Sequence, residues 1–202
     1  MDFLHLFRAG GFMMYPLILC SLVVVAIFIE RFRYYRSNRS HVDELSQEIP
    51  KYLEKRDYEG LKTLLQQDGG IPASVVLAGV EHMNLKVDQT SLIEGAASHA
   101  AGLLKNYLNY LDVIVTLSPL MGLLGTVIGM IGSFNVLSVS NGQPFAVTGG
   151  VAEALVCTAT GLFVAIIALI AYTYLSQQVS HFVSDMEKLG TLYLAIVEAK
   201  EQ

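Results

Sequence analysis

Charged residues are scarce in this chain of 202 residues. Only 15% of the residues are Asp, Glu, Lys or Arg, against about a quarter in an ordinary soluble domain, and 53% are hydrophobic. This balance, with a mean hydropathy of +0.49, predicts a membrane protein. The formal net charge of −5 leaves no basic surface that could neutralise phosphates, so it argues against nucleic-acid binding.

The residue patterns that carry enzyme chemistry are also missing. The sequence has no Cys/His spacing typical of zinc sites, no phosphate-binding glycine loop and no nucleophile–base arrangement. Cys20 and Cys157 both lie in apolar runs, which favours small packing residues over a disulfide or a metal pair. The sequence therefore predicts a protein that is not an enzyme and holds no cofactor.

Long uncharged runs are what the chain does contain. No Asp, Glu, Lys or Arg occurs between residues 113 and 152, and Glu153 is the single charge before residue 174. This stretch holds two membrane spans of roughly 20 residues each. Another apolar span covers residues 12–29, and it lacks the basic start and small-residue cleavage site of a signal peptide.

The spans divide the chain into seven expected segments. These are an external interfacial segment (1–11), a first span (12–30), a cytoplasmic helical region (31–110), a second span (111–136), a short periplasmic loop (137–147), a third span (148–175) and a cytoplasmic C-terminal helix (176–202). Four arginines follow the first span, at positions 31, 33, 36 and 39. This excess predicts that their side is cytoplasmic and that the N-terminus is outside. A frayed terminus fits residues 2–9 as well as an interfacial helix does.

The segments outside the spans have a helical pattern. Pro50 is the expected start of a helix that Gly69 and Gly70 end, and Pro72 begins another helix that ends near His82. No strand alternation occurs. The predicted fold is therefore all-α and polytopic, with three transmembrane helices, of which the second and third extend into a cytoplasmic helical bundle.

Two apolar stripes at helical spacing support those extensions. One begins at residue 89, reaches Tyr110 and continues into the second span with no Gly or Pro between Tyr110 and Pro119, so it predicts one long helix. The other follows the third span and consists of Val179, Phe182, Met186, Leu189, Tyr193, Ile196 and Val197. It needs a partner surface, either the cytoplasmic helices of the same chain or a neighbouring copy, and the chain's own bundle is favoured over a separate regulator.

The second span contains the run SPLMGLLGTVIGMIGSF at residues 118–134. Gly122, Gly125 and Gly129 recur at three- and four-residue steps, which lets membrane helices pack closely. Thr126 adds a hydroxyl on the face of Gly122 and Gly129, and Pro119 frees a backbone carbonyl near one end. Glycines and a threonine are also common in membrane helices that have only a packing role.

The third span contains GGVAEALVCTATGLFVAIIALIAY at residues 149–172. Glu153 lies near its outer end, where it fits an ion path and an interfacial carboxylate that reaches external water equally well. On an ideal helix Thr158 lies well around from Glu153, so the two side chains are not expected to share one face.

Taken together, the two motifs resemble the ExbB/TolQ/MotA family of ion-channel and motor subunits, and three spans place the chain closest to its ExbB/TolQ branch. A run of the family's Pro-Leu-Leu-Gly-Leu-Leu-Gly-Thr-Val type stands here at residues 119–127, with Met121 at the third position. The family's (I/V)AEAL-x-x-TA-x-GL pattern stands at residues 151–162. The chain departs from the family at Ile167, where members often have a proline.

The resemblance implies a ring of copies of this chain, typically a pentamer, in the bacterial inner membrane. The ring would surround an ExbD/TolR-type single-span partner whose membrane aspartate takes up and releases the ion, with H⁺ the favoured ion. Thr126 and Thr158 would line the pore, and Glu153 would influence ion entry or ring contacts. The motor would act on a TonB- or TolA-like periplasmic protein.

A second hypothesis is a non-conducting scaffold that gathers single-span partner helices. The glycine face fits this hypothesis as well as it fits the motor. A scaffold, however, has no need of two threonines and Glu153.

Overall fold

A computed structural model describes residues 10–83, 88–139 and 145–201. These residues form seven helices and no strand, which confirms the expected all-α fold. The helices are α1 (Met14–Ser37), α2 (Val42–Glu54), α3 (Tyr58–Asp68), α4 (Ile71–Glu81), α5 (Gln89–Leu104), α6 (Leu108–Val139) and α7 (Phe145–Glu201).

Three of the described helices are long and apolar enough to cross a membrane, as expected. They are α1, α6 and α7, whose most apolar stretches have mean hydropathies of 2.0, 2.0 and 2.5. The expected interfacial segment falls largely on residues 1–9, which lie outside the described residues. Of the expected loop at 137–147, residues 140–144 also lie outside them. Residues 137–139 and 145–147 are helical, so helix occupies part of the stretch assigned to a loop.

The chain divides into two compact units. Unit 1 comprises Met1–Ile29 and Tyr107–Tyr174, and unit 2 comprises Glu30–Asn106 and Leu175–Gln202. Unit 1 therefore collects the apolar segments, and α1 and α7 each contribute to both units. Much of unit 1 is apolar on its outside. Phe163, Leu155 and Leu120, for example, are more than 60% exposed, which suits contact with lipid or other helices.

Unit 2 has a conventional apolar core. Leucine and valine side chains of α2, α3 and α4 are buried there together with the C-terminal part of α7. Six of the seven residues in the predicted C-terminal stripe are buried, Ile196 being half-buried. The Tyr35 and Phe182 rings lie 5.9 Å apart, and a Cβ on Gly79 would lie 2.9 Å from the Tyr193 ring. The stripe therefore packs on the chain's own bundle, as expected.

The start of α2 was placed wrongly at Pro50. The helix begins at Val42, and Pro50 lies inside it. Asp43 and Glu44 stabilise the first turn through the helix dipole, and the buried face of Leu45, Ile49 and Leu53 outweighs the backbone bond that proline removes. The expected stop at Gly69 is confirmed, because this residue closes α3 at a φ of +65°. The expected helix ending near His82 is also confirmed as α4.

The prediction of one unbroken helix from residue 89 into the second span was wrong. Helix α5 ends at Leu104 and α6 begins at Leu108, with Tyr107 between them at a φ of +67°. The break leaves carbonyls at the end of α5 without helical partners. Two side chains of α1 donate hydrogen bonds to carbonyls there. Tyr35 Oη donates to Leu104 O at 2.7 Å, and Arg31 Nη1 donates to Leu103 O at 3.2 Å.

Candidate functional site

The glycines of the second-span motif face α7 within unit 1. A Cβ on Gly122 would lie 3.1 Å from Thr158 Cα and 3.2 Å from Cys157 O, so a larger residue would require the two backbones to move apart by a few tenths of an ångström. On Gly125 a Cβ would overlap Cys157 Sγ. The two helices therefore pack backbone to backbone along this face, as small residues permit in membranes.

The same close packing continues towards both ends of the motif. A Cβ on Gly129 would lie 3.0 Å from Gly150 O, and one on Gly161 would lie 2.6 Å from Ser118 O. We call these five residues the glycine seam: Gly122, Gly125 and Gly129 of α6 with Gly150 and Gly161 of α7. Gly132 belongs to the same sequence motif but has no atom within 4 Å of a built Cβ, so it lies off the seam.

Thr158 crosses the seam to α6. Its Oγ1 donates to Gly122 O at 3.0 Å, and it is half-buried. Gly122 lies one helical turn before Thr126, so the third-span hydroxyl contacts α6 one turn away from the second-span threonine. Thr126 Oγ1 donates to Leu123 O of its own helix at 2.6 Å. Both hydroxyl hydrogens are thus engaged by main-chain carbonyls, and the oxygens keep lone pairs for a further donor.

Pro119 lies inside α6, next to the tightest main-chain contact of the seam, that of Gly161 with Ser118 O. The preceding residue, Ser118, is fully buried, and its Oγ has no hydrogen-bond partner. Because proline has no N–H, α6 also lacks one of its backbone hydrogen bonds here. Pro119 therefore marks a closely packed place at the end of the seam near Gly161 where backbone and side-chain polar groups of α6 lack partners.

Glu153 contacts a different part of unit 1. Its half-buried side chain fills the place that a side chain on Gly11, just before α1, would occupy. Thr158 instead contacts Gly122, so the structure places Glu153 and Thr158 against different elements. The sequence-based expectation that they do not share one face agrees with these contacts.

Five residues of this site were not predicted as site residues: Gly11, Ser118, Gly150, Cys157 and Gly161. Gly11 receives Glu153, Cys157 fills the seam at Gly125, and Gly161 meets Ser118. Cys157 was expected to be a small packing residue, and it is 1% exposed. The sequence does offer a signal for the Gly161 contact, because a glycine in the Gly-Leu pair of the third-span motif permits close helix packing. Nothing in the sequence signals the long-range pairing of Gly11 with Glu153.

The glycine seam and the threonine contact both lie within the part of the chain that matches a known family. Residues 68–188 match the family described as the MotA/TolQ/ExbB proton channel family. The chain belongs to this family. The match includes α6, its glycines and most of α7, and it confirms the resemblance inferred from the two motifs.

Relatives with related names cover different shares of the chain. An ExbB-like biopolymer transport protein (ExbB-like 3) of Synechocystis is 31% identical over 92% of this chain and 91% of its own length. The Tol-Pal system protein TolQ of Haemophilus influenzae is 33% identical over 63% of this chain and 52% of its own length. The biopolymer transport protein ExbB of Salmonella typhimurium is 39% identical over 43% of this chain and 36% of its own length.

Proposed function

We propose that this chain is the ring subunit of an ion-driven motor in the inner membrane, with H⁺ as the coupling ion. Several copies, five by resemblance to the family, surround membrane helices of an ExbD/TolR-type partner that carries an aspartate. Ion flow moves the partner against the ring and does work on a TonB- or TolA-like periplasmic protein. The N-terminus is periplasmic and the C-terminus cytoplasmic.

The contact of Thr158 with Gly122 is the observation that carries this proposal. It joins the second- and third-span motifs at one place, one helical turn from Thr126 along α6, within a chain of the proton channel family. A proton-carrying carboxyl needs partners in both of its states, or it meets a large barrier in the membrane. A threonine serves both states, because its oxygen accepts from a carboxylic acid and its O–H, once turned from the carbonyl, donates to a carboxylate.

The scaffold alternative loses its main support. Gly122, Gly125 and Gly129 are packed against α7 of the same chain, so this face is not offered to partner helices. A scaffold also gives no role to the two threonine hydroxyls of the motifs. The motor is therefore the better account of the seam.

The test is ion flux through the chain and its partner, co-purified and placed in proteoliposomes. Thr158→Val keeps the side-chain shape but removes the hydroxyl, so flux under a pH gradient should fall by about tenfold or more. Thr158→Ser keeps the hydroxyl and should retain most of the flux. Native mass should show the same assembly for all three proteins.

Three results would contradict the proposal. A wild-type complex that stays impermeable under every gradient would favour the scaffold. Equal flux from Thr158→Val and wild type would remove the pore role of this threonine. A chain that runs as a monomer or dimer and does not capture the partner would exclude the ring.

A further inference from the structure

Gly11 has two independent reasons to be a glycine. Its φ is +66°, a left-handed conformation that disfavours side chains. A Cβ there would also overlap Glu153 Oε1 and lie 2.7 Å from Glu153 Cδ. The carboxylate of α7 thus occupies the space of the missing side chain, and we call this contact the Gly11 seat.

The seat lies at the amino end of α1. Gly11 O accepts the N–H of Met14 at 3.2 Å, which begins the helix. The first N–H groups of a helix lack helical partners, and the helix dipole makes this end positive. A carboxylate inside a membrane unit is costly unless it faces protein or water. The Gly11 seat places the Glu153 carboxylate against protein, at the positive end of the α1 dipole.

The turn that receives Glu153 also touches the glycine seam. Met13 Cβ lies 3.5 Å from the position of a Cβ on Gly125, a position that Cys157 also crowds. Gly125 directly precedes Thr126, and Cys157 directly precedes Thr158. The start of α1 therefore contacts the glycine seam at residues that directly precede the two threonines.

We propose that Glu153 is a positioning residue rather than an ion carrier. Its side chain, held in the Gly11 seat, keeps residues 11–14 on the seam and so keeps α6 and α7 aligned at the two threonines. Shape and reach matter for this role more than the ability to exchange a proton. The flux part of this inference rests on the proposed function, whereas the seat itself does not.

Two substitutions of Glu153 distinguish a positioning role from an ion-carrying role. Glu153→Gln keeps the length of the side chain, so flux should fall by no more than about fivefold, since only the charge–dipole interaction is lost. Its pH profile should match that of wild type. Glu153→Asp keeps the acid but is one methylene shorter, so it should not fill the seat and flux should fall by about tenfold or more.

The reverse ranking would overturn the proposal. If Glu153→Asp conducts and Glu153→Gln does not, or if Glu153→Gln shifts the pH profile, Glu153 carries the ion. Gly11→Ala should reproduce the loss seen with Glu153→Asp, whereas Gly132→Ala, a glycine in open space, should conduct like wild type. A fully conducting Gly11→Ala protein would also contradict the seat.

A stability measurement tests the seat even if no variant or wild type conducts. Gly11→Ala, Glu153→Ala and the double variant are compared by thermal unfolding in detergent. The seat predicts that Gly11→Ala is less harmful when Glu153 has been shortened, so the two effects should not add. Additive effects would show that residues 11 and 153 do not touch and would overturn the inference. A non-conducting wild type with coupled substitutions would reject only the proposed motor.

Discussion

Tyr35 links the first span's helix to the end of α5 through one buried hydrogen bond. Its ring is 2% exposed, and its hydroxyl donates to Leu104 O. Burial raises the pKa of Tyr35 to about 12, although the charge of Arg31 acts in the opposite direction. A neutral phenol is therefore strongly preferred at this place.

We expect Tyr35→Phe to destabilise unit 2. Leu104 O would be left buried without its donor, which costs about 1–3 kcal/mol. Chemical unfolding of the purified chain, followed by circular dichroism, would measure this loss. An unchanged unfolding midpoint would show that the end of α5 finds another donor.

The same tyrosine predicts a pH dependence. Because the folded-state pKa of about 12 lies above the unfolded value near 10, the stabilisation is complete below pH 10 and is lost as the pH rises towards 12. Burial also raises the pKa of Tyr193 to about 12, so that residue contributes with the same sign. Tyr35→Phe should reduce, without abolishing, the loss of stability measured between pH 10 and 12. A variant with the wild-type alkaline slope would contradict this assignment.

At the scale of elements, the packing of α6 on α7 depends on main-chain contacts that cannot rotate away. A Cβ on Gly161 would meet Ser118 O at 2.6 Å and Gly122 Cα at 3.0 Å. Any side chain at this position must push the two helices apart. The seam is therefore less tolerant of a larger residue than a contact between flexible side chains would be.

We expect Gly161→Ala to destabilise unit 1 by about 1–3 kcal/mol, as overpacking does elsewhere. Gly132→Ala is the matched control, because it also places alanine in a membrane helix but meets no atom within 4 Å. It should be neutral or stabilise the helix by up to about 1 kcal/mol. Thermal unfolding in detergent would compare the two. Equal midpoints would show that the seam relaxes at little cost.

The whole molecule consists of unit 1, much of whose outside is apolar, and unit 2, which has a conventional apolar core. Unit 1 holds the family motifs, and unit 2 buries its own leucines and valines. The arginines after the first span lie in unit 2, which by the charge rule predicts that unit 2 is cytoplasmic. The predicted direction of insertion therefore depends on the charges that flank the first span.

Single cysteines test this orientation. We expect Asn141→Cys, in the predicted outer loop and outside the described residues, to react with a membrane-impermeant maleimide in spheroplasts. Glu59→Cys lies exposed in unit 2 and should react only after permeabilisation. Wild type, with Cys20 and Cys157, is the control for background labelling. Labelling of Glu59→Cys alone in intact spheroplasts would reverse the orientation.

The sequence by itself determined the features that depend on local composition. Uncharged runs of span length predict three membrane helices because buried charge and unpaired backbone are so costly in lipid. The apolar stripe after the third span predicted the buried face of α7, and two motifs predicted the family. These features need no knowledge of distant contacts.

Tertiary structure decided the remainder. The break at Tyr107 has no glycine or proline to announce it, and Tyr35 and Arg31, about 70 residues earlier, bind the carbonyls that it exposes. The Glu153 contact likewise depends on Gly11, at the other end of the chain. Periodicity reports which face of a helix is apolar, whereas only the assembled helices determine which atoms meet across it.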